Sequence, residues 1–165
     1  AKQAEKNGYQ VFMVTPDKDF AQLVSDNIFM YRPARMGNGI EIWGIPEVLE
    51  KFEIESPVQV IDYLGMMGDA VDNIPGIPGV GDKTAKKFIK QYGNLETLLE
   101  KSYEITGKLG EKITDNKELG ILSKKLAKKL AVKSGDYLEK EELQMLLNKF
   151  FDCKVYNYNL TRTLD

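Results

Sequence analysis

The chain has 165 residues, an ordinary globular composition with 42% hydrophobic and 29% charged residues, and a formal net charge of −2, enough for one domain or a large piece of one. It contains no histidine and a single cysteine, Cys153, which excludes an internal disulfide, a thiolate zinc cluster, Ser/His and Cys/His catalysis and any histidine-ligated metal. No apolar run is long enough to span a bilayer and no signal-peptide pattern is present, so a cytoplasmic location is expected.

Residues 1–6 read as the end of a helix. Residues 11–15 (Val-Phe-Met-Val-Thr) form a short apolar run expected to be a buried strand, broken at Pro16. Residues 20–24 have helical character, so strand, turn and helix make an α/β unit. Residues 28–32 and 40–43 flank Met36-Gly37-Asn38-Gly39, and the Asn-Gly pair predicts a hairpin. From Pro46 the period becomes helical: Val48, Leu49 and Phe52 share one face, and Val58, Ile61 and Leu64 another. Residues 65–81 read as a loop rich in Gly and Pro. Ala85, Phe88, Ile89 and Tyr92 then fall at i, i+3, i+4, i+7, with Lys83, Lys86, Lys87 and Lys90 opposite and Gly93 as the C-terminal cap. Leu95, Leu98 and Leu99 open a short helix, a lysine-rich helical stretch covers about 109–130, and Leu143, Leu146, Leu147 and Phe150 repeat the helical spacing near the end. The character changes near Gly65. The expected organisation is therefore α/β over 1–64, followed by an all-helical region over 65–165 with a helix-hairpin-helix at 74–93.

Charge follows the same division. Residues 1–72 carry 6 basic against 12 acidic side chains, and residues 73–133 carry 13 against 7. An acidic part beside a basic part suits two tasks, holding cations and holding phosphates.

Two acidic turns are candidates for the first task. Asp17 and Asp19 stand two apart directly after the first strand, and Asp69 and Asp72 stand three apart beside Gly68 and Asn73. Each pair taken alone could equally cap a turn or helix. Four oxygen donors without His or Cys suit Mg²⁺ or Mn²⁺, and a pair of such ions can hydrolyse a phosphodiester without histidine. For the second task, Gly76, Gly79 and Gly81 lead into Asp82-Lys83-Thr84-Ala85. Such glycines let the backbone approach a phosphate, helix N-terminal N–H groups point at it, and Thr84, Lys83, Lys86 and Lys87 line the anion path. Ile77 and Val80 anchor the loop. The spacing is not that of a Walker loop, because Lys83 is not adjacent to Gly81.

Three motifs together, Thr15-Pro16-Asp17-Lys18-Asp19-Phe20, then Tyr31-Arg32-Pro33, then Gly68-Asp69-x-x-Asp72-Asn73-Ile74-Pro75-Gly76-x-Pro78-Gly79-x-Gly81-x-Lys83-Thr84-Ala85, resemble the 5′-nuclease domain family of bacterial DNA polymerases I, related to phage 5′ nucleases and flap endonucleases. The resemblance runs from about residue 9 to 130. It implies a PIN-like α/β core, a helical arch and a helix–three-turn–helix clamp on duplex DNA with a 5′ flap or nick. It also implies a two-metal carboxylate site to which Asp17, Asp19, Asp69 and Asp72 contribute, and a monovalent cation such as K⁺ held by the carbonyls of Gly76, Ile77 and Val80. The family's first aspartate, its arch and its Glu-x-Asp-Asp cluster lie N-terminal to the matched region. The resemblance thus implies half of a metal site here and no nuclease activity from this chain by itself. The alternative is a non-catalytic helix-hairpin-helix module in which the aspartates are caps.

Overall fold

Val11–Val14 (β1), Ile28–Pro33 (β2) and Ile40–Trp43 (β3) pair in that order, β1 parallel to β2 and β2 antiparallel to β3. The structure is a computed structural model that describes residues 1–33 and 39–131, all within the unit Ala1–Lys133. Residues 34–38 of the expected hairpin turn, Asn38 among them, and the helix expected around Leu143 lie outside the described residues. The antiparallel β2–β3 pair itself is present as the sequence predicts. Among the described residues no helix is long and apolar enough to cross a membrane.

One strand expectation needs correcting. β1 is not buried: Phe12 and Val14 are exposed, Val14 by 71%. The register places them on one face with Phe29, Tyr31, Ile40 and Ile42, and Phe12 stacks on Phe29 with ring centroids 5.4 Å apart. Met30 and Trp43 point the other way, into the core. A continuous apolar run does not reveal whether one or both sheet faces are covered, and among the described residues only one is.

Helix α1 is Lys2–Lys6, and α2 (Ile45–Phe52) starts where Glu47 accepts the Gly44 N–H at 2.8 Å. Then come α3 (Val60–Met67), α4 (Asp82–Tyr92), α5 (Leu95–Glu100), α6 (Lys108–Asp115) and α7 (Lys117–Ala131). The Asn94 side chain caps α5 through the Thr97 N–H at 2.8 Å. As expected, Ala85, Phe88, Ile89 and Tyr92 are buried, and so are Leu95, Leu98 and Leu99. Three details differ. Val58 is 57% exposed because the 3₁₀ turn Pro57–Gln59 breaks the helical register before α3. Gly65 is not in a loop but inside α3. The lysine-rich stretch is two helices, α6 and α7, separated at Asn116.

Helix α7 is the strut of the fold. It crosses α3 so closely that a Cβ on Gly65 would lie 2.9 Å from Lys124 Cα. Lys124 reaches on to Asp62 at 2.6 Å and Glu96 at 2.5 Å, while Asp62 also accepts the Leu95 N–H at 2.8 Å. Ser123, fully buried, accepts the Gly76 N–H at 3.0 Å, and the Gln22 amide donates to the Ala127 carbonyl at 3.0 Å. One helix thus fixes the loop after β1 and the loop after α3 relative to each other.

A methyl group at Gly65 meets backbone, not a side chain that can swing away. Gly65→Ala is therefore expected to cost about 2–3 kcal/mol, measured by urea denaturation. An unchanged midpoint would show that α3 and α7 slide apart without penalty.

Candidate metal centre and nucleic-acid interface

β1 delivers the chain at its carboxyl end into the loop 15–19, where the Thr15 N–H is still paired with the Tyr31 carbonyl at 3.1 Å. Asp17 Oδ1 accepts the Asp19 N–H at 3.0 Å and so starts the 3₁₀ helix Lys18–Leu23. Arg32, stacked 3.8 Å over the Trp43 ring, donates to the Pro16 carbonyl at 3.0 Å and pins the loop from β2. That turn sends Asp19 inward: it is 1% exposed, and neither of its carboxylate oxygens has a hydrogen-bond partner.

The second acidic turn arrives from α3. The chain leaves at Gly68, folds back through the paired backbone of Asp69 and Ile74 (N···O 2.9 and 2.8 Å), and the Asp69 Oδ1 accepts the Val71 N–H at 2.9 Å. Carboxylate oxygens of Asp19, Asp69 and Asp72 all lie within 4.8 Å of one another. Asp17 is exposed and stands outside this triplet, although its charge reaches Asp19. Burial first, then the charges of Asp17 and Asp69, push the Asp19 carboxyl up to about 7. Asp69 is held below its ordinary value despite burial, because Lys18 Nζ sits 2.6 Å from its Oδ2. A buried carboxylate without donors, beside two more carboxylates, fits a hard divalent cation better than it fits capping.

From the same turn the chain enters the hairpin. The Ile77 N–H returns to the Met66 carbonyl at 2.8 Å, and the Val80 N–H closes on the Ile77 carbonyl at 3.0 Å. Gly76 is buried with its N–H turned inward to Ser123. Gly79 and Gly81 lie at the surface, and among the described residues nothing accepts their N–H groups. Lys83 and Lys87 are exposed on α4 without ion pairs among the described residues, and Thr84 is on the same first turn. Lys86 is half-buried and engaged, 3.5 Å from Glu53 and 3.3 Å from Asp82. Asp82 is itself bound by the Tyr63 hydroxyl at 2.7 Å, which holds its carboxyl below the ordinary range; burial first, and then this bond, pushes the Tyr63 phenol up.

Sequence reasoning missed two lysines. Lys18 lies between the two aspartates of the first motif and went unread because a lysine beside carboxylates normally marks a solvated surface. Lys112 of α6 approaches the hairpin tip: a Cβ on Gly79 would lie 3.6 Å from its Nζ. Nothing in its local sequence signals that proximity, which depends on how α6 packs.

Residues 55–145 match the family model described as 5′-3′ exonuclease, C-terminal SAM fold. The chain is 43% identical over 128 residues to DNA polymerase I of Bacillus subtilis (strain 168), covering 77% of this chain and 14% of that protein. It is 41% identical over 100 residues to a 5′-3′ exonuclease of Aquifex aeolicus (strain VF5), covering 61% of this chain and 33% of that one. The chain thus spans about a seventh of the polymerases it matches. The fold is similar to that of T5 5′-exonuclease with bound zinc ions (TM-score 0.65, 19% identity, 85% of this chain and 51% of that one). It is also similar to a bacteriophage T5 flap endonuclease complex with DNA and metal ions (TM-score 0.66, 19% identity, 87% and 53%).

The Asp19 proton sets a pH dependence. Between about pH 4 and 7 the folded protein keeps it while the unfolded chain has lost it, so stability in metal-free buffer falls across that window and is level above it. Asp19→Asn is expected to gain about 2 kcal/mol over wild type by pH 8, roughly half the unscreened value because Lys18 and solvent screen the cluster, and nothing by pH 4. Denaturant titrations across that range check this, and a pH-independent difference would contradict it.

Proposed function

We propose, from the premise that the chain belongs to the 5′-3′ exonuclease family with the C-terminal SAM fold, that it forms part of a divalent-metal-dependent, structure-specific 5′ nuclease acting on DNA in replication and repair. The observation that carries this reading is Asp19, a buried carboxylate with two unpartnered oxygens facing Asp69 and Asp72. The alternative of a non-catalytic DNA-binding module accounts for Asp17, which does cap its turn, but not for Asp19.

In this reading Asp19, Asp69 and Asp72 hold Mg²⁺ or Mn²⁺, and Asp17 shapes the loop and adds its charge. Such an ion, when bound, acidifies water and stabilises charge during in-line displacement at phosphorus. The rest falls to the chain itself. The carboxylates stand at the end of β1, and the hairpin starts eight residues after Gly68, so a phosphate backbone laid along the hairpin runs toward the triplet. The N–H groups of Gly79 and Gly81, the N-terminus of α4 and the ammonium groups of Lys83, Lys87 and Lys112 hold that backbone without reading bases. Lys86 serves mainly to neutralise Glu53 and Asp82, leaving the α4 entrance open to an anion. Neither the Gly76 nor the Val80 carbonyl has a protein donor among the described residues; with Ile77 they can hold a monovalent cation such as K⁺ against a phosphate. Duplex DNA with a 5′ flap or nick is the proposed substrate, and the cytoplasm the proposed compartment.

The test is a binding titration of the chain with two unrelated duplexes at several salt concentrations. Affinity should fall steeply and alike for both sequences, with a log–log slope that loses about one for each phosphate-contacting lysine removed. The double variant Lys83→Ala/Lys87→Ala should weaken both duplexes equally, whereas Lys86→Ala should change stability more than affinity. Salt-independent binding, or equal affinity for wild type and the double variant, would overturn the interface.

A further inference from the structure

We propose that Lys18 is the resident counter-cation of the Asp19/Asp69/Asp72 triplet, and that a divalent ion binds there by displacing its ammonium from Asp69. The inference rests on reading the triplet as a metal site, and it concerns what that site does between metal ions.

The two oxygens of Asp69 are held by different partners. Oδ1 accepts the Val71 N–H at 2.9 Å, and Oδ2 meets Lys18 Nζ at 2.6 Å. The first contact belongs to the turn itself, which the paired backbone of Asp69 and Ile74 keeps closed. The oxygen free to turn to a cation is therefore the one Lys18 holds. An ammonium and a divalent ion on one oxygen repel strongly where solvent is scarce, and the Asp69 side chain, 7% exposed, is the less mobile partner. Lys18 is 42% exposed on a flexible four-carbon stem and has solvent to move into. A lysine suits this duty better than an arginine, because a strongly hydrated point charge releases more readily than a bidentate fork.

The need for such a group follows from Asp19. Three carboxylates within 4.8 Å repel one another, and Asp19 has no hydrogen bond to offset its burial. Among the described residues, Lys18 is the cation that meets the triplet. It adds a direct ionic link between the loops after β1 and α3, which α7 already holds side by side. It also subtracts from metal affinity, because each binding event must break the Lys18–Asp69 pair.

The experiment observes Lys18 directly in the full chain. Lysine ammonium resonances, with Lys18 assigned by its absence in Lys18→Met, and the aspartate carboxylate carbons are followed by nuclear magnetic resonance during titration with MgCl₂. The Lys18 signal, protected by Asp69 at the start, should broaden and disappear with the same midpoint as the Asp69 carboxylate shift. Lys18→Met should bind Mg²⁺ about fivefold or more tightly, and Lys18→Arg should not. The gain should persist in about 0.5 M KCl, where long-range charge effects are screened. If the Asp69 carboxylate responds while the Lys18 resonance does not move, or if Lys18→Met binds Mg²⁺ no more tightly, displacement is wrong and the metal site stands. If no carboxylate responds to Mg²⁺, the metal reading falls and this inference with it.

Discussion

Two glycines stand back to back where α3 ends. A Cβ on Gly68 would lie 2.6 Å from the Ile74 carbonyl, and one on Gly76 would lie 2.5 Å from the Gly68 nitrogen. Both have positive φ, 78° and 66°, a region that L side chains rarely adopt. This crossing forces the chain to leave α3, make the turn that carries Asp69 and Asp72, and return through the same point into the hairpin before α4. A metal-type carboxylate pair and an anion-type loop are thus built from one backbone knot. Their separation is set by covalent geometry and by the Ile77–Met66 hydrogen bond, not by packing between remote elements.

The electrostatics follow from that knot. Acidic charge is concentrated on the loops at the end of β1 and α3, and basic charge on α4 and α7. Where the basic side would be compromised by its own acids, the acids are neutralised locally, Glu53 by Lys86 and Lys90 and Asp82 by Lys86, with the Tyr63 hydroxyl hydrogen-bonded to Asp82 as well. The exposed Lys83 and Lys87 are left to face outward. On the acidic side the compensation is partial, since one ammonium serves three carboxylates. A site of the proposed kind, taking a divalent cation and a polyanion in turn, could not neutralise either sign completely.

The relatives share this part of the chain far more than its length. Identity to DNA polymerases I is about 40% over some three-quarters of the chain. The bacteriophage nucleases keep the same fold at 19–22% identity. The apolar face of the sheet formed by Phe12, Val14, Ile40 and Ile42 is exposed, and none of the described elements covers it.

The sequence by itself determined the local elements and their chemistry. Helical spacing identified the buried face of α4, an Asn-Gly pair announced the β2–β3 hairpin, and the glycine spacing into Lys83-Thr84-Ala85 marked the hairpin before α4. These are properties of neighbours within a few residues, where backbone period and side-chain type are enough. The tertiary structure alone decided which members of each acidic pair converge. Asp17 and Asp19 look alike in sequence, yet the 3₁₀ turn that Asp17 starts carries Asp19 inward and leaves Asp17 outside. It likewise decided that Gly65 belongs to a helix, because α7 passes against it, that Lys86 is spent on Glu53 and Asp82, and that Lys18 closes on Asp69 across 51 residues of chain. Each depends on a contact between elements distant in sequence, and no local pattern records the direction in which such elements will pack.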